Sequence, residues 1–365
     1  MLEDGKITCR QIIYLIFLSR IIITFTYLPI SDTPPRNQDV WISELLSFPV
    51  HMLLVLPVYI LSQRFKGCSI IQASEIIFGK IGKIIGAMYT WFFLHMTAIV
   101  LRQFGEFLSS VPYPETPIIV FISSITLFAA FALRNGLEVI SRVGEIVTPI
   151  VIGSIVLVVA LVAKDMDLKV LKPVLEGGFI PVLYGGFIVA TRTTEILFIS
   201  MLLPYLNRRK LAKRVILVSF ILLTILAPII TISVLATFGV QQTLNRTFPF
   251  FSTIRIISVA NFLERIDALH LGIWVLGVFV KVAIYYYLTV LGAAQVLNLK
   301  DYRSIIIPIG TIIISLSILI ADSQLQLREF ISYKYSLWYA LFFILALPLF
   351  MLIVSALRGK GMDLK

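Results

Sequence analysis

The stretch EGGFIPVLYGGFIVATRTTEILFISMLLPYL, Glu176 to Leu206, decides how the chain is read. It is apolar enough to cross a bilayer, yet it carries Gly177-Gly178, Pro181, Gly185-Gly186, Arg192, Glu195 and Pro204. Each charge at the centre of a membrane helix costs about 2.5–3.5 kcal/mol on insertion scales. A Gly-Gly pair weakens the helical ladder, and freed backbone groups are tolerated at membrane depth only where they face protein or a wet cavity. The stretch therefore predicts a discontinuous transmembrane helix that lines a site, broken at Gly185-Gly186.

The remainder of the chain supplies the spans that pack around it. Of 365 residues, 59% are hydrophobic and 14% charged, with mean hydropathy +0.97. A soluble domain cannot hide that much apolar surface, so the composition predicts a single polytopic membrane domain. The length suits about ten spans of about 20 residues each with short loops. The first apolar run ends at Pro29 without a small-residue cleavage site and reads as a retained span. Span one runs over about 9–29, span two 41–61, span three 84–110, span four 118–133 and span five 143–163. Span six is the opening stretch. Spans seven to ten run over about 215–238, 268–297, 305–321 and 336–357. The basic segment between spans two and three predicts a short interfacial helix. The connection 239–267 predicts amphipathic helix rather than a span.

Charge sets the orientation. Of the 31 lysines and arginines, eighteen fall in the loops on the side of the N-terminus, nine on the other side, and four inside spans: Arg20, Arg102, Arg192 and Lys281. Excess Lys and Arg marks cytoplasmic loops, which places both termini in the cytoplasm and accounts for the net charge of +11 without nucleic acid. Ten spans then divide into two five-helix repeats, 1–165 and 166–365. An odd-numbered first half inverts the second, the arithmetic of inverted-repeat transporters in which helices one and six are the broken pair.

The polar residues inside the spans are the site candidates, because intramembrane ionisable groups mark functional pathways. Arg192 and Glu195 lie three apart, share a helix face and are placed to pair. The bland alternative is a structural ion pair. Arg102 and Glu106 lie four apart on span three, below His95, and suit either a packing pair or a pathway. Gly277, Lys281, Tyr285 and Thr289 form one face of span eight, and a lone mid-membrane lysine needs a carboxylate, carbonyl dipoles or deprotonation. Arg20, with Thr24 on the same span, is the strongest single candidate. Four buried cations against two well-placed carboxylates, Glu106 and Glu195, leave two positive charges for an anionic ligand. The ligand-binding set is Arg20, Thr24, Arg102, Gly185, Gly186, Lys281 and Tyr285. The gate or proton-coupling set is Glu106, Arg192 and Glu195. No P-loop, GxSxG or HExxH is present, and His51, His95 and His270 are scattered, so neither an enzyme, a cofactor nor a metal site is expected. Two cysteines, Cys9 and Cys68, define no disulfide framework or zinc site.

Four short elements carry a family resemblance: Asp39-Val40-Trp41-Ile42-Ser43; Arg134 to Glu145, RNGLEVISRVGE; Glu264-Arg265-Ile266-Asp267-Ala268 followed by Trp274 and Lys281; and Asp301-Tyr302-Arg303. In this order and these topological places, they resemble the GerAB-type spore germination permeases of the amino acid–polyamine–organocation superfamily, over about 8–358. The resemblance implies a LeuT-like fold and the B subunit of a germinant receptor in the spore inner membrane, sensing an amino acid or similar nutrient. It also implies an A-type membrane subunit and a C-type lipoprotein as partners. The chain departs from the family at the middle of span one, where Arg20-Ile21-Ile22-Ile23 stands in place of glycine. Arg20 then supplies the positive charge itself, or the ligand is not an α-amino acid. Arg134, Glu138, Arg142 and Glu145 step by four, four and three, an alternating-charge face that reads as a solvated ladder before it reads as a gate. Two other readings stay open: a secondary amino acid transporter, with protons coupled through Glu195 or Lys281, and an ion or water conduit within a complex.

Overall fold

The computed structural model describes residues 5–257 and 266–361. Glu264 and Arg265 of the third motif, and Lys365 among the counted cations, lie outside the described residues. Every element named here is helical, and the spans arrive in the expected order. Span one is α1 (Cys9–Thr24), span two α2 (Val40–Arg64), followed by the interfacial α3 (Ile70–Phe78). Spans three to five are α4 (Gly82–Ser110), α5 (Ile118–Arg134) and α6 (Leu137–Val162). Span six is two helices, α7 (Phe179–Thr191) and α8 (Ile196–Leu202), and span seven is α9 (Ala212–Asn245). The short α10 (Pro249–Arg255) precedes span eight, α11 (Ile266–Val296), and span nine, α12 (Ile306–Leu319). After α13 (Gln324–Phe330), span ten is α14 (Tyr333–Leu341) and α15 (Leu347–Leu357), joined by a π-helical turn over Phe342–Ala346.

Among the described residues, eight helical stretches are long and apolar enough to cross a membrane. The two shorter spans are α1 and α5, of 16 and 17 residues. Span six stands apart from the other seven long stretches. Of its most apolar window 89% is buried inside the protein, against 33–56% for the others. It is the central helix, and the lipid meets the other spans instead.

Two local sequence features begin the first helices of the bundle. The Thr8 hydroxyl accepts from the Gln11 amide while the Gln11 side chain reaches back to Thr8, a reciprocal cap that starts α1. Ser69 and Gln72 repeat this cap at α3. Asp39 does not cap α2; its buried carboxylate accepts from the Leu175 amide at 3.0 Å. That bond ties the start of span two to the loop before span six, and it is the work the first motif does here.

Gly185 and Gly186 lie inside α7, and the helix does not break there. They are buried where α7 lies along α2. A side chain at Gly185 would run into the Pro34 carbonyl and the Ser43 hydroxyl. One at Gly186 would meet the Ser43 carbonyl at 3.0 Å. The pair lets two backbones approach, as small residues do between membrane helices. The break comes at Arg192-Thr193-Thr194-Glu195. There Thr193 bonds Ala190, and Ile196, Leu197 and Phe198 bond back three residues each, at 3.0–3.3 Å, in place of the α-helical four. Short stretches of this tighter winding inside a helix mark hinges.

One side of the bundle is closed by its N-terminal segment, which bonds to the end of span six and to α6. Ile7 donates to the Tyr205 carbonyl at 2.9 Å and accepts from the Asn207 amide at 3.0 Å. Arg10 pairs with Glu145, which also accepts from Gln11 at 3.0 Å. The Lys6 amide donates to Glu138 at 3.2 Å, and Arg142 pairs with Glu138 at 3.3 Å. The charged face of the second motif is thus a dock for the N-terminal segment as well as a solvated ladder. Asp301-Tyr302-Arg303 locks the end of α5 on the same side, with Arg303 donating to the Arg134 carbonyl at 3.1 Å.

Candidate functional site

The four residues of the break reach four different parts of the bundle. Arg192 turns outward and pairs with Asp32, in the loop after α1, at 2.9 Å. The Thr193 hydroxyl accepts from Arg20 Nε of α1 at 3.2 Å and meets His51 Nε2 of α2 at 2.9 Å. The Thr194 hydroxyl meets the Tyr285 hydroxyl of α11 at 2.8 Å. Glu195 pairs with Lys281 of α11 at 2.7 Å, and Lys281 also donates to the Ser19 carbonyl of α1. The Thr193 hydroxyl also donates back to the Val189 carbonyl at 3.1 Å, the local side-chain-to-backbone bond that competes with a regular helix.

The expected Arg192–Glu195 pair therefore does not form. Three residues separate them, but the tight winding sends one toward the loop after span one and the other toward span eight. The charge balance changes with it. Arg102 pairs with Glu106 at 3.0 Å, as spacing predicts, Arg192 with Asp32, and Lys281 with Glu195. Arg20 alone of the four intramembrane cations has no ion pair with a described residue. Where two of the four cations are expected to lack an acid, one does, Arg20. A further acid, Glu44 of α2, is 2% exposed and is hydrogen-bonded by Thr231 at 3.1 Å.

A cavity of about 460 Å³ lies against the break. One wall is charged: Arg20 of α1, Arg192, Thr194 and Glu195 of the break, Lys281 of α11 and Asp32; Arg328 of α13 also lines the cavity and donates to the Thr247 carbonyl at 2.7 Å. The facing residues of α4 and α14 are His95, Met96, Ile99, Val100 and Gln103, with Tyr335, Ser336, Tyr339 and Ala340. Its rim residues Phe330 and Tyr335 are 39% and 60% exposed, so it reaches the surface opposite the closed N-terminal side. Three lining polar atoms, Glu195 Oε2, the Tyr27 hydroxyl and the Ser336 hydroxyl, are buried without a hydrogen-bond partner among the described residues. Buried polar atoms of this kind require a partner.

The candidates divide accordingly. Arg20, Arg192, Glu195 and Lys281 line the cavity. Tyr285 is buried behind it and supports Thr194. Thr24 is buried off the cavity, and α1 is continuous past Arg20 to Thr24, so span one leaves the helix only beyond that point. Arg102 and Glu106 form their pair outside the lining, with Arg102 also donating to the Ile318 carbonyl at 3.3 Å. Gly185 and Gly186 serve helix packing. Sequence reasoning passed over Thr193, His51, Asp32 and Glu44. A usable signal existed in span two, where Asp39, Ser43, Glu44, Ser47 and His51 recur at helical spacing in an apolar run and lie buried. Among the described residues no group of three or more His, Cys, Asp or Glu is placed to hold a metal.

Comparison with known proteins bears on both the fold and the family. The chain superimposes on Mhp1, a nucleobase-cation-symport-1 family transporter, with TM-score 0.65 and 10% identity, covering 97% of this chain and 76% of that one. A Na+-coupled sialic acid symporter in a substrate-bound outward-open state gives TM-score 0.55 and 13% identity over 99% and 80%. These likenesses support a LeuT-like all-helical fold. The family described as spore germination protein, the spore permeases, matches residues 6–325. Spore germination protein KB of Bacillus subtilis (strain 168) is 31% identical over 98% of this chain and 97% of its own length. Spore germination protein YndE of the same organism is 26% identical over 98% of each. The chain belongs to the spore germination permease family, as a multi-pass integral membrane protein with a LeuT-like fold.

Proposed function

We propose that the chain is the nutrient-sensing, permease-like subunit of a germinant receptor. A small solute bearing an anionic group, such as an amino acid, occupies the cavity beside the break of span six, and Arg20 binds its anionic group. The observation that carries this reading is Arg20 itself. It is a guanidinium near the centre of span one, on the cavity wall, bonded among the described residues only to a threonine hydroxyl, while the other three intramembrane cations are matched by acids. An unmatched charge at membrane depth is expensive, and a carboxylate offers the bidentate, charge-assisted partner it lacks. Glu195 Oε2, also on the wall and without a partner among the described residues, suits the ammonium of the same ligand.

Binding there touches the hinge, since Arg20 and Glu195 are bonded to or belong to its four residues. Ligand then shifts an equilibrium between conformers in proportion to its differential affinity for them. The receptor context, with an A-type membrane subunit, a C-type lipoprotein, the spore inner membrane and cytoplasmic termini, rests on the family and on the charge bias of the loops. A second reading, a secondary transporter, is favoured by the cavity that reaches one surface while the other is closed, and by likeness to two symporters. Reconstituted uptake of labelled solute separates the two: accumulation favours transport, and ligand-dependent stabilisation without uptake favours sensing. Loss of ligand stabilisation in Arg20→Gln, with the fold retained, tests the site under either reading.

A further inference from the structure

The mechanism above uses the charged wall of the cavity and leaves the facing wall without a task. That wall is not bland. His95 Nδ1 and the Tyr339 hydroxyl are hydrogen-bonded at 3.0 Å, and their rings stand edge to face with centroids 5.3 Å apart. Phe330 meets the His95 ring edge-on at 5.7 Å, and Tyr335 lines the same cavity from one turn before Tyr339. Three of these four rings are already arranged as aromatic groups pack against one another, and all four border open volume. Met96, Ile99 and Val100 continue the wall without a charge.

From the pairing of this wall with Arg20 we infer that the ligand carries an aromatic ring, so that the site selects aromatic over small amino acids. The inference rests on the proposed binding of an anionic group at Arg20. Three observations carry it. Apart from Asp32 in the loop after α1 and Arg328 of α13, the charged groups lie on the wall built by α1, the break and α11, so a ligand held there by its head presents its side chain to α4 and α14. The volume of about 460 Å³ exceeds what glycine or alanine fills. A small ligand would leave the ring wall facing empty or wet space, whereas a ring adds edge-to-face contacts to a cluster already oriented for them. The His95–Tyr339 hydrogen bond fixes two of the rings before the ligand arrives, which spares ordering on binding.

The test is a titration of the purified full chain in nanodiscs with three probes: L-phenylalanine, L-alanine and phenethylamine, which has the ring and the amine but no carboxylate. Binding is read by calorimetry and thermal stabilisation. We expect L-phenylalanine to bind at least about tenfold more tightly than L-alanine, and phenethylamine to bind far more weakly than L-phenylalanine. Tyr339→Leu narrows the phenylalanine preference to a few-fold; Tyr335→Ala, at an exposed rim position, narrows it without burdening the core. L-alanine binding as tightly as L-phenylalanine overturns the ring selectivity and leaves the Arg20 reading intact. Phenethylamine matching L-phenylalanine overturns the Arg20 reading and supports the ring wall. Failure of all three probes to bind overturns both.

Discussion

Glu195→Gln tests the hinge at its most buried contact. The side chains of Glu195 and Lys281 are 1% and 4% exposed, and their 2.7 Å bond joins the break of span six to span eight. The substitution keeps size and an accepting oxygen but leaves the buried ammonium without a counter-charge, beside the Ser19 carbonyl. Removing one partner of a buried ion pair costs about 3–5 kcal/mol, because the remaining charge is uncompensated. Lys281→Met leaves the carboxylate stranded and carries a similar penalty. The double variant Glu195→Gln/Lys281→Met removes both charges and strands neither, so it should cost far less than the sum of the single losses. The two single losses should therefore fail to add, with a coupling of roughly 3 kcal/mol in the cycle. Equilibrium unfolding in mixed detergent micelles, followed by tryptophan fluorescence, measures all four proteins. Single variants that each lose less than about 1 kcal/mol, or losses that add, would refute the buried pair as the bond that holds the hinge.

Other outcomes follow from single contacts. Gly185→Ala should destabilise the protein by roughly 1–3 kcal/mol, since its methyl group meets the Pro34 carbonyl, which cannot swing away; a neutral result in the same unfolding assay would place α7 farther from α2. Arg192→Gln should cost less than Glu195→Gln, roughly 1–2 kcal/mol, because its pair with Asp32 is 24% and 27% exposed rather than fully buried. Burial pushes the Cys68 thiol above its ordinary range despite the nearby Arg209. In a Cys9→Ala background, an impermeant maleimide should thus react slowly at pH 7, and about tenfold faster per pH unit while the thiol stays mostly protonated. It should do so only from the cytoplasmic side; labelling from the opposite side reverses the proposed topology.

Much of the fold was legible because lipid imposes it. Apolar runs of span length are a constraint of the bilayer, and the described parts of the four short motifs sit at the ends of spans. Lys281 was legible too, since a lone lysine at that depth needs a carboxylate, and the structure provides Glu195. The identity of partners was not legible. Glu195 stands three residues from Arg192 and 86 from Lys281, and local spacing favours the wrong choice. Across the four-residue tightening, Arg192 and Glu195 point to partners on different elements, which no window of sequence contains. The glycine pair misleads for a related reason: glycine that breaks a membrane helix and glycine that lets two helices touch look the same until the partner helix is known. Thr193 carries no charge and escapes a search for ionisable residues, although it bonds both Arg20 and His51.

The account stands or falls on Arg20 as the ligand's anion partner. The most direct measurement is binding of L-phenylalanine to the wild-type chain, Arg20→Lys and Arg20→Gln in nanodiscs, with unfolding of each protein measured in parallel. The account predicts tight binding in the wild type and weaker binding in Arg20→Lys, which keeps the charge but loses the bidentate fork. It predicts a loss of at least about a hundredfold in Arg20→Gln, while the folded state, relieved of an unmatched charge, is no less stable. Equal binding by the wild type and Arg20→Gln would contradict it.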